Sequence, residues 1–567
     1  MSRNVISRNS VITALFFCTV FTYYLAEVKY HLVFKEQVIM FLFDSSYIAS
    51  LLLHPASAVQ LAGDFLTQFF LVQWLAPVIS FLSIIVFWLG FRRLLSKFNI
   101  NNAALWALVP TSAEAALQTQ FEYPLAMTLG AAGAVWAVLL CSEIASRRFR
   151  HALVLLMAAA AYPLVGAYAL LFFALTLTAE IHDLQTNVCE KRDLPHNGNK
   201  RNTYIWLTIL CMVFLASMYC EHLHYQMTWP DFISYPVIPG YNIRHTHLFL
   251  FVPALSIISM ILGKKEVNAY CGASLAFAVL VAGAACFHDS QREYDLKLST
   301  LAYHNQWAEV EKLAQSNEFE SQTGAFYRNL TNAKNGVLAH ELLNGYQPLI
   351  FGLFMPVNGD ESYIKIIASI DAMMHCKDFA QAQHAAIVGM NFSPRQTSSR
   401  MTRVLAEIAV INRDTLAAQR YCSMLKKTLF FRNWAAEAES LLFESNGMEM
   451  NVTADTIFKV NDFQNSLRNI LSCDPANKSA LDYLLCFDLL QKNLVEFMND
   501  YDRFYMPHYR NMVPPIIYQQ ALEMMEAGAE YRISREVEQA NQDFLSGNEA
   551  KYKKSYWFYF KYAQAAE

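Results

Sequence analysis

Read for polarity alone, the chain changes character near residue 288. Before that point apolar runs follow one another at roughly 10–28, 71–91, 103–117, 125–141, 152–179, 204–220, 248–262 and 269–286. Most approach the 17–25 residues, roughly, that a helix needs to cross a bilayer. From Asp289 onward charge returns, and apolar residues recur at the spacing of amphipathic helices. The pattern predicts an all-α protein: a multipass transmembrane domain over 1–288 and an extracytoplasmic helical domain over 289–567. The first run, "SVITALFFCTVFTYYLAEV", follows Arg3 and Arg8 and continues through Tyr23 and Tyr24 without a small-residue cleavage site. It reads as an uncleaved first span.

Two runs are awkward. Residues 103–117 are few and contain Pro110 and Glu114, whereas 152–179 is too long for one crossing and is interrupted by "YPLVGAY". Turned into a hairpin at Pro163 and Gly166, that long run gives about nine crossings. One side of the membrane then collects Arg3, Arg8, Arg92, Arg93, Lys97, Arg147, Arg148, Arg150, Lys191, Arg192, Lys200, Arg201, Lys264 and Lys265. The opposite loops hold Lys29, Lys35 and Arg244, so the balance is fourteen against three. A single span there would leave about nine against eight. The positive-inside rule therefore places the N-terminus in the cytoplasm and the C-terminal domain outside, in a bacterial inner membrane. Each half of the hairpin is only about 14 residues, or about 21 Å of helix, which suits a re-entrant element or a thinned bilayer.

In the polar half, four segments repeat a polar turn followed by an amphipathic helix: "HNQWAEVEKLA", "CKDFAQAQHAA", "NRDTLAAQRYC" and "QKNLVEFMNDY". Their anchors, Trp307, Phe379, Thr415 and Leu494, are 72, 36 and 79 residues apart, near multiples of a mid-thirties repeat. The reading is a tetratricopeptide-like α-solenoid with a surface for a protein partner; the plainer alternative is a helical domain that only braces the membrane part. The run "GYQPLIFGLFMP", 345–356, is too short to span and reads as a buried or membrane-docking insertion.

Composition agrees with this division: hydrophobic residues are 54% and charged residues 16% of 567, where a soluble globular protein carries about a quarter charged. The net charge of -4 says little about partners, and with no basic tract or nucleic-acid motif in the chain no nucleic-acid partner is expected. Eleven cysteines show no CxxC or metal spacing; Cys376, Cys422, Cys473 and Cys486 could pair in the outer domain, but without a disulfide framework they read as isolated buried thiols. There is no P-loop, Gly-rich dinucleotide loop, GxSxG elbow or HExxH helix.

The outer loops hold the candidate chemistry. In "FDSSYIASLLLHPASAVQLAGDF", 43–65, apolar residues Ile48, Leu51 and Leu52 predict a short surface helix capped by Asp44 and stopped at His54-Pro55. Ser57 to Gln60 reads as a capping box opening a second helix, which carries Asp64 and runs on into the next span. Juxtamembrane helices thus occupy 37–66, with Asp64 either a simple interfacial residue or a chemical group. The loop 221–247 begins with His222 and His224 and ends with Arg244, His245 and His247. That cluster could bind a pyrophosphate through the Arg244 fork, bind zinc through imidazoles, or serve as an interfacial belt. Glu122 and Asp231 complete the outward acids.

Two surface helices with an acidic residue, many short spans and an outer helical domain resemble the layout of GT-C glycosyltransferases. More closely, "HPASAVQLAGDFLTQFF" (54–70), "NLTNAKNGVLAHELLNGYQPLIFGLF" (329–354) and "LDYLLCFDLLQKNLVEFMNDY" (481–501) resemble an uncharacterised family of Bacteroidota inner-membrane proteins, over most of the chain. The GT-C resemblance implies a polyprenyl-phosphate-linked donor, a catalytic carboxylate among Asp44, Asp64 and Glu122, and phosphate binding by Arg244, His245 and His247. It implies no cofactor beyond an optional divalent metal. No Asp-x-Asp pair stands in an outer membrane loop, and Asp500-Tyr501-Asp502 reads as a solvated helix face. A non-enzymatic scaffold recruiting an envelope protein is the rival, and a flippase, for which the spans offer little polar path, a third reading. The topology is checked by a reporter active only outside the cytoplasm, fused after Glu567: activity is expected, and activity of a cytoplasm-only reporter instead would invert the assignment.

Overall fold

The computed structural model describes residues 8–190, 197–237, 243–265, 267–316, 319–357, 362–444, 459–526 and 531–563, with the side chains of 182–190, 197–201, 243–246 and 443–444 left aside. The described residues are helical throughout and contain no strand. The chain divides into two compact units: Met1–Ser290 with Lys427–Phe430, and Gln291–Lys426 with Phe431–Glu567.

The first unit contains α1 (Arg8–Ala26), α2 (Lys29–Gln37), α3 (Ser45–Leu52), α4 (Ser57–Thr67), α5 (Leu75–Lys97), α6 (Ala103–Trp106), α7 (Leu108–Leu117), α8 (Leu125–Glu143), α9 (Arg147–Val165) and α10 (Ala169–Glu190). It continues with α11 (Asn197–Tyr225), α12 (Trp229–Ser234), α13 (Phe251–Lys264) and α14 (Ala269–Phe287). Among the described residues seven helices are long and apolar enough to cross a membrane, with Arg147–Ile181 counted as one. Ala103–Leu117 is too short for that class, and every residue of α7 is buried.

The long run is broken where the sequence suggested. Gly166 adopts φ 62° and ψ −133°, separating α9 from α10. A Cβ there would meet the Tyr235 carbonyl oxygen at 2.5 Å, so glycine is required by both conformation and space. Pro163 deprives the Ala159 carbonyl of its helical donor, and the Ser217 hydroxyl supplies one at 2.9 Å. Other segments converge on this break. The Ala56 N–H donates to Tyr162 O at 3.2 Å and the Ala167 N–H to Tyr235 O at 2.8 Å. The Ser57 hydroxyl donates to Pro163 O at 3.0 Å, and the Tyr162 hydroxyl to Phe232 O at 2.6 Å.

These bonds explain the His-Pro interruption in the first loop and correct two expectations. The two helices exist, as α3 and α4, but Ser57 is no capping box: Ala56, in the left-handed region at φ 56°, occupies the N-cap and makes no side-chain cap bond. The Ser57 hydroxyl is committed across the unit to the break. Nor does α4 run on into a span. It ends at Thr67, passes through a 3₁₀ turn at Gln68–Leu71, and leaves through extended Val72 (φ −85°, ψ 94°) before α5.

The second unit contains α15 (Ser290–Tyr303), α16 (Trp307–Gln315), α17 (Gln322–Lys334), α18 (Leu338–Glu341), α19 (Tyr363–Cys376), α20 (Phe379–Asn391), α21 (Ser399–Ile411) and α22 (Thr415–Lys426). These are followed by α23 (Arg432–Glu444), α24 (Phe463–Cys473), α25 (Lys478–Leu490), α26 (Leu494–Asp500), α27 (Met506–Tyr509), α28 (Ile516–Met524), α29 (Arg535–Leu545) and α30 (Tyr556–Tyr562). All four anchors of the sequence repeat are first residues of helices: Trp307, Phe379, Thr415 and Leu494 open α16, α20, α22 and α26. Two positions before each anchor stands a left-handed residue, Asn305, Lys377, Arg413 or Lys492. At each turn the next N–H reaches back five residues: Gln306 to Leu301, Asp378 to Met373, Asp414 to Ala409 and Asn493 to Asp488, at 2.8–3.0 Å. This is a Schellman closure built without glycine. The repeated signal in the sequence is therefore one turn geometry joining successive helix pairs.

Buried charge is compensated locally. Arg400 donates to Ser299 on α15 and, through a fork at 3.1 and 3.3 Å, to Asp371 on α19. Of the run 345–356 only residues 352–355 are buried, while Tyr346 and Phe351 are exposed; Asn329 donating to Gly352 O at 2.8 Å and Arg328 donating to Tyr346 O hold the run to α17. The described cysteines form no disulfide. Asp500-Tyr501-Asp502 is not a solvated face: Asp500 and Tyr501 are buried. The reason is Arg468, whose Nε and Nη2 donate to the Asp500 carboxylate at 2.7–2.9 Å.

Asp488, fully buried beside Asp500, is pushed up to about 8, chiefly by burial, with Gln464 and Arg468 opposing and the Asp500 charge reinforcing. An unfolded aspartate titrates near 4, so between about pH 4 and 8 the folded chain holds a proton that the unfolded chain has lost, and stability falls as pH rises through that window. Thermal unfolding should accordingly occur at a lower temperature at pH 8 than at pH 6, and Asp488→Asn should flatten that difference; an unchanged difference would refute the assignment.

Candidate functional site

The predicted site residues occupy distinct environments. Asp44 stands at the N-cap position of α3, half-buried, where it accepts from Ser46 and pairs with Lys427 at 2.9 Å within the first unit. Those two partners, Ser46 first, hold its carboxyl below the usual range. Asp64 is only 4% exposed, on a helix so close to α8 that a Cβ on neighbouring Gly63 would meet Ala126 backbone at 2.8 Å. It is therefore enclosed by protein and is not a simple interfacial residue. Glu122 is half-buried in the turn between α7 and α8.

His247 is exposed, at the end of a 3₁₀ segment, Ile243–Leu250. The side chains of Arg244 and His245 lie outside the described residues. His222 stacks on Trp229 with ring centroids 3.7 Å apart and meets Phe232 edge-on, an aromatic packing role. Asp231 is engaged in the first turn of α12, accepting from the Thr228 hydroxyl at 2.6 Å. Among the described residues no group of three or more His, Cys, Asp or Glu could hold a metal ion.

A larger feature was hidden from the sequence. Residues 31–42 are buried without interruption, although α2 carries His31, Lys35, Glu36 and Gln37. This helix lies buried inside the unit and is not a solvated loop. Burying an ammonium costs several kcal/mol, roughly, unless its hydrogens are satisfied. Lys35 has three donors, and each finds an oxygen: Gln118 O at 2.8 Å, Gln118 Oε1 at 2.8 Å and Tyr123 O at 2.7 Å. One ammonium thus closes both ends of the turn that carries Glu122. Burial pushes Lys35 down to about 7, while the nearby Glu122 and Glu114 carboxylates oppose that shift.

The network continues inward. Gln118 donates to Thr128 at 2.6 Å. Glu114, fully buried, accepts from the Tyr168 hydroxyl, and the Tyr123 hydroxyl lies 2.9 and 3.0 Å from its two oxygens. The Tyr123 and Tyr168 hydroxyls are 2.7 Å apart. The Tyr24 hydroxyl donates to Ala115 O at 2.7 Å, tying α1 to the same helix. Asp64, Gln60 and Gln68 add further buried polar groups from α4 and its 3₁₀ extension. The available signal was Glu114 itself, since an ionisable residue in an apolar run marks a polar interior. Lys35 gave none, because a lysine between two spans reads as loop charge.

A helical protein with several membrane-capable segments and a buried, internally compensated charge centre is the class that these observations define. The chain belongs to a family of unknown function, DUF6057, whose model matches residues 4–563. No curated protein and no solved structure matches it.

If the ammonium is what closes the turn, Lys35→Met strands three buried acceptors and leaves Glu114 with less compensation. The expected loss is about 3 kcal/mol or more, read as a lowered melting temperature in detergent. Combined with Glu114→Gln, the double variant should lose less than the sum of the two; strict additivity would show that the groups are independent.

Proposed function

We propose that the protein is a membrane-embedded transferase of the bacterial inner membrane, moving a sugar or related group from a polyprenyl-phosphate-linked donor to an envelope acceptor. The observation that supports this reading is the inward placement of first-loop charge: Asp64 and Lys35 are 4% and 3% exposed, and Glu122 stands next to the carbonyl that Lys35 grips. A chain that needed only an anchor would leave such residues in water, where they cost nothing. In the proposed step Asp64 or Glu122 takes the proton from an acceptor hydroxyl as its oxygen bonds to the transferred carbon. The carbon–oxygen bond to phosphate breaks, and the polyprenyl phosphate leaves with the electron pair near Arg244, His245 and His247. Lys35 is not a phosphate ligand in this scheme, because its three hydrogens are used. Nine crossings, a cytoplasmic N-terminus and a tetratricopeptide-like outer domain that presents the acceptor complete the proposal.

A scaffold role is the second reading, and one observation favours it: Asp44 is already paired with Lys427 and Ser46. The two readings separate in a deletion strain whose lipid-linked and envelope glycans are profiled after complementation at matched expression. Asp64→Asn, Glu122→Gln and Arg244→Ala are tested beside Asp44→Ala and wild type. The transferase reading expects whichever carboxylate is the base to reduce transfer about 100-fold or more, with donor accumulating, and expects Arg244→Ala to weaken it. Asp44→Ala should stay close to wild type. Unchanged glycans on deletion, or full complementation by every variant, would leave the scaffold.

A further inference from the structure

The second unit carries one apolar feature that its own packing does not account for. Between α27 and α28 the chain reads "RNMVPPI", 510–516, and Met512, Val513 and Ile516 are 59, 72 and 59% exposed. Elsewhere on this unit strongly exposed aliphatic side chains such as Leu416 and Leu545 stand singly, which is ordinary for a protein surface. Three within five residues is not. The segment is also fastened. The Met512 N–H donates to Tyr509 O at 2.9 Å, Arg532 donates to Asn511 O at 2.9 Å, and Gln519 donates to Pro514 O at 2.7 Å. Pro514 and Pro515 further restrict the backbone. The apolar side chains are therefore held outward by a rigid turn that has no freedom to tuck them in.

The charge around this turn identifies what it fits. The Tyr531 hydroxyl bonds Asp502 at 2.8 Å and Arg532 bonds Asn511, so 502–503, 510–516 and 531–532 lie side by side. Among the described residues of these segments Arg503, Arg510 and Arg532 are all exposed, against one exposed carboxylate, Asp502. Half-exposed Tyr509 and Tyr531 stand among them. An apolar tip ringed by arginines and tyrosines matches the graded polarity of an anionic bilayer surface, with acyl chains for the tip, headgroups for the tyrosines and phosphate for the guanidinium groups. Arginine, tyrosine and methionine also suit a protein interface; what favours the bilayer is the excess of exposed guanidinium groups over carboxylates around the tip. The chain's membrane-capable helices also keep a bilayer tethered to this unit, so a weak contact suffices.

We propose that the 510–516 turn is a lipid-contacting tip by which the second unit engages an anionic membrane surface. The inference is independent of the transfer chemistry above. It is tested with the full-length chain in nanodiscs, replacing Val513 by the photo-crosslinker p-benzoylphenylalanine and, as a control, replacing Leu545 in the same way. After irradiation, mass spectrometry identifies the adducts. Lipid adducts are expected at 513 in discs of mixed phosphatidylcholine and phosphatidylglycerol, with few at 545. The yield at 513 should fall about tenfold in pure phosphatidylcholine or with Arg503→Glu and Arg510→Glu combined, neither of which fastens the turn. Adducts to protein at 513, lipid yields equal at the two positions, or a yield insensitive to charge would each overturn the proposal. Circular dichroism of the double arginine variant verifies that its fold is intact.

Discussion

The first unit depends on the cost of keeping ionised groups away from water. An ammonium or carboxylate taken out of solvent needs a partner for each hydrogen or lone pair, or it destabilises the fold by several kcal/mol, roughly. Lys35 meets that demand with three oxygens at 2.7–2.8 Å, all on the 118–123 turn. Glu114 meets it with two tyrosine hydroxyls. Because α2, α7, the following turn, α8 and the 3₁₀ turn before α10 all contribute members, Gln118 and Tyr123 both coming from the turn, the polar network fixes how these elements meet. Apolar packing alone would allow them to slide, whereas hydrogen-bond satisfaction admits few arrangements.

A second constraint acts at the Gly166 break. A proline and a glycine three residues apart free backbone groups that a membrane interior cannot leave unpaired. The structure pairs them with Ser217, Ser57 and Ala56, so the "HPAS" turn and the "YPLVGAY" break are two halves of one junction. The functional proposal rests on the consequence. The first loop is drawn into the protein at two places, and its carboxylate on α4 is enclosed instead of displayed.

Much of this was legible in the sequence, and the failures have physical causes. Apolar runs located the long helices because length and hydropathy are local properties. The helix starts at Trp307, Phe379, Thr415 and Leu494 were visible because the Schellman turn repeats its polar chemistry each time. The burial of Lys35, Asp64, Asp488 and Asp500 was not visible, because charge reads as exposure until the partner, distant in sequence, is known. Arg468 lies 32 residues from Asp500 and Gln118 lies 83 from Lys35. The Ser57 cap failed for the same reason: its hydroxyl serves a carbonyl 106 residues away.

The central claim is that the segment after the first span is buried interior structure and not a solvated loop. Amide hydrogen exchange on the purified full-length protein tests it directly, by comparing residues 31–42 with the exposed corner at 52–54. The account predicts that 31–42 exchange as slowly as the membrane-capable helices, including the non-helical stretch 39–42, while 52–54 exchange within minutes. Fast exchange across 31–42 would contradict the buried polar centre on which the site, and the function proposed for it, are built.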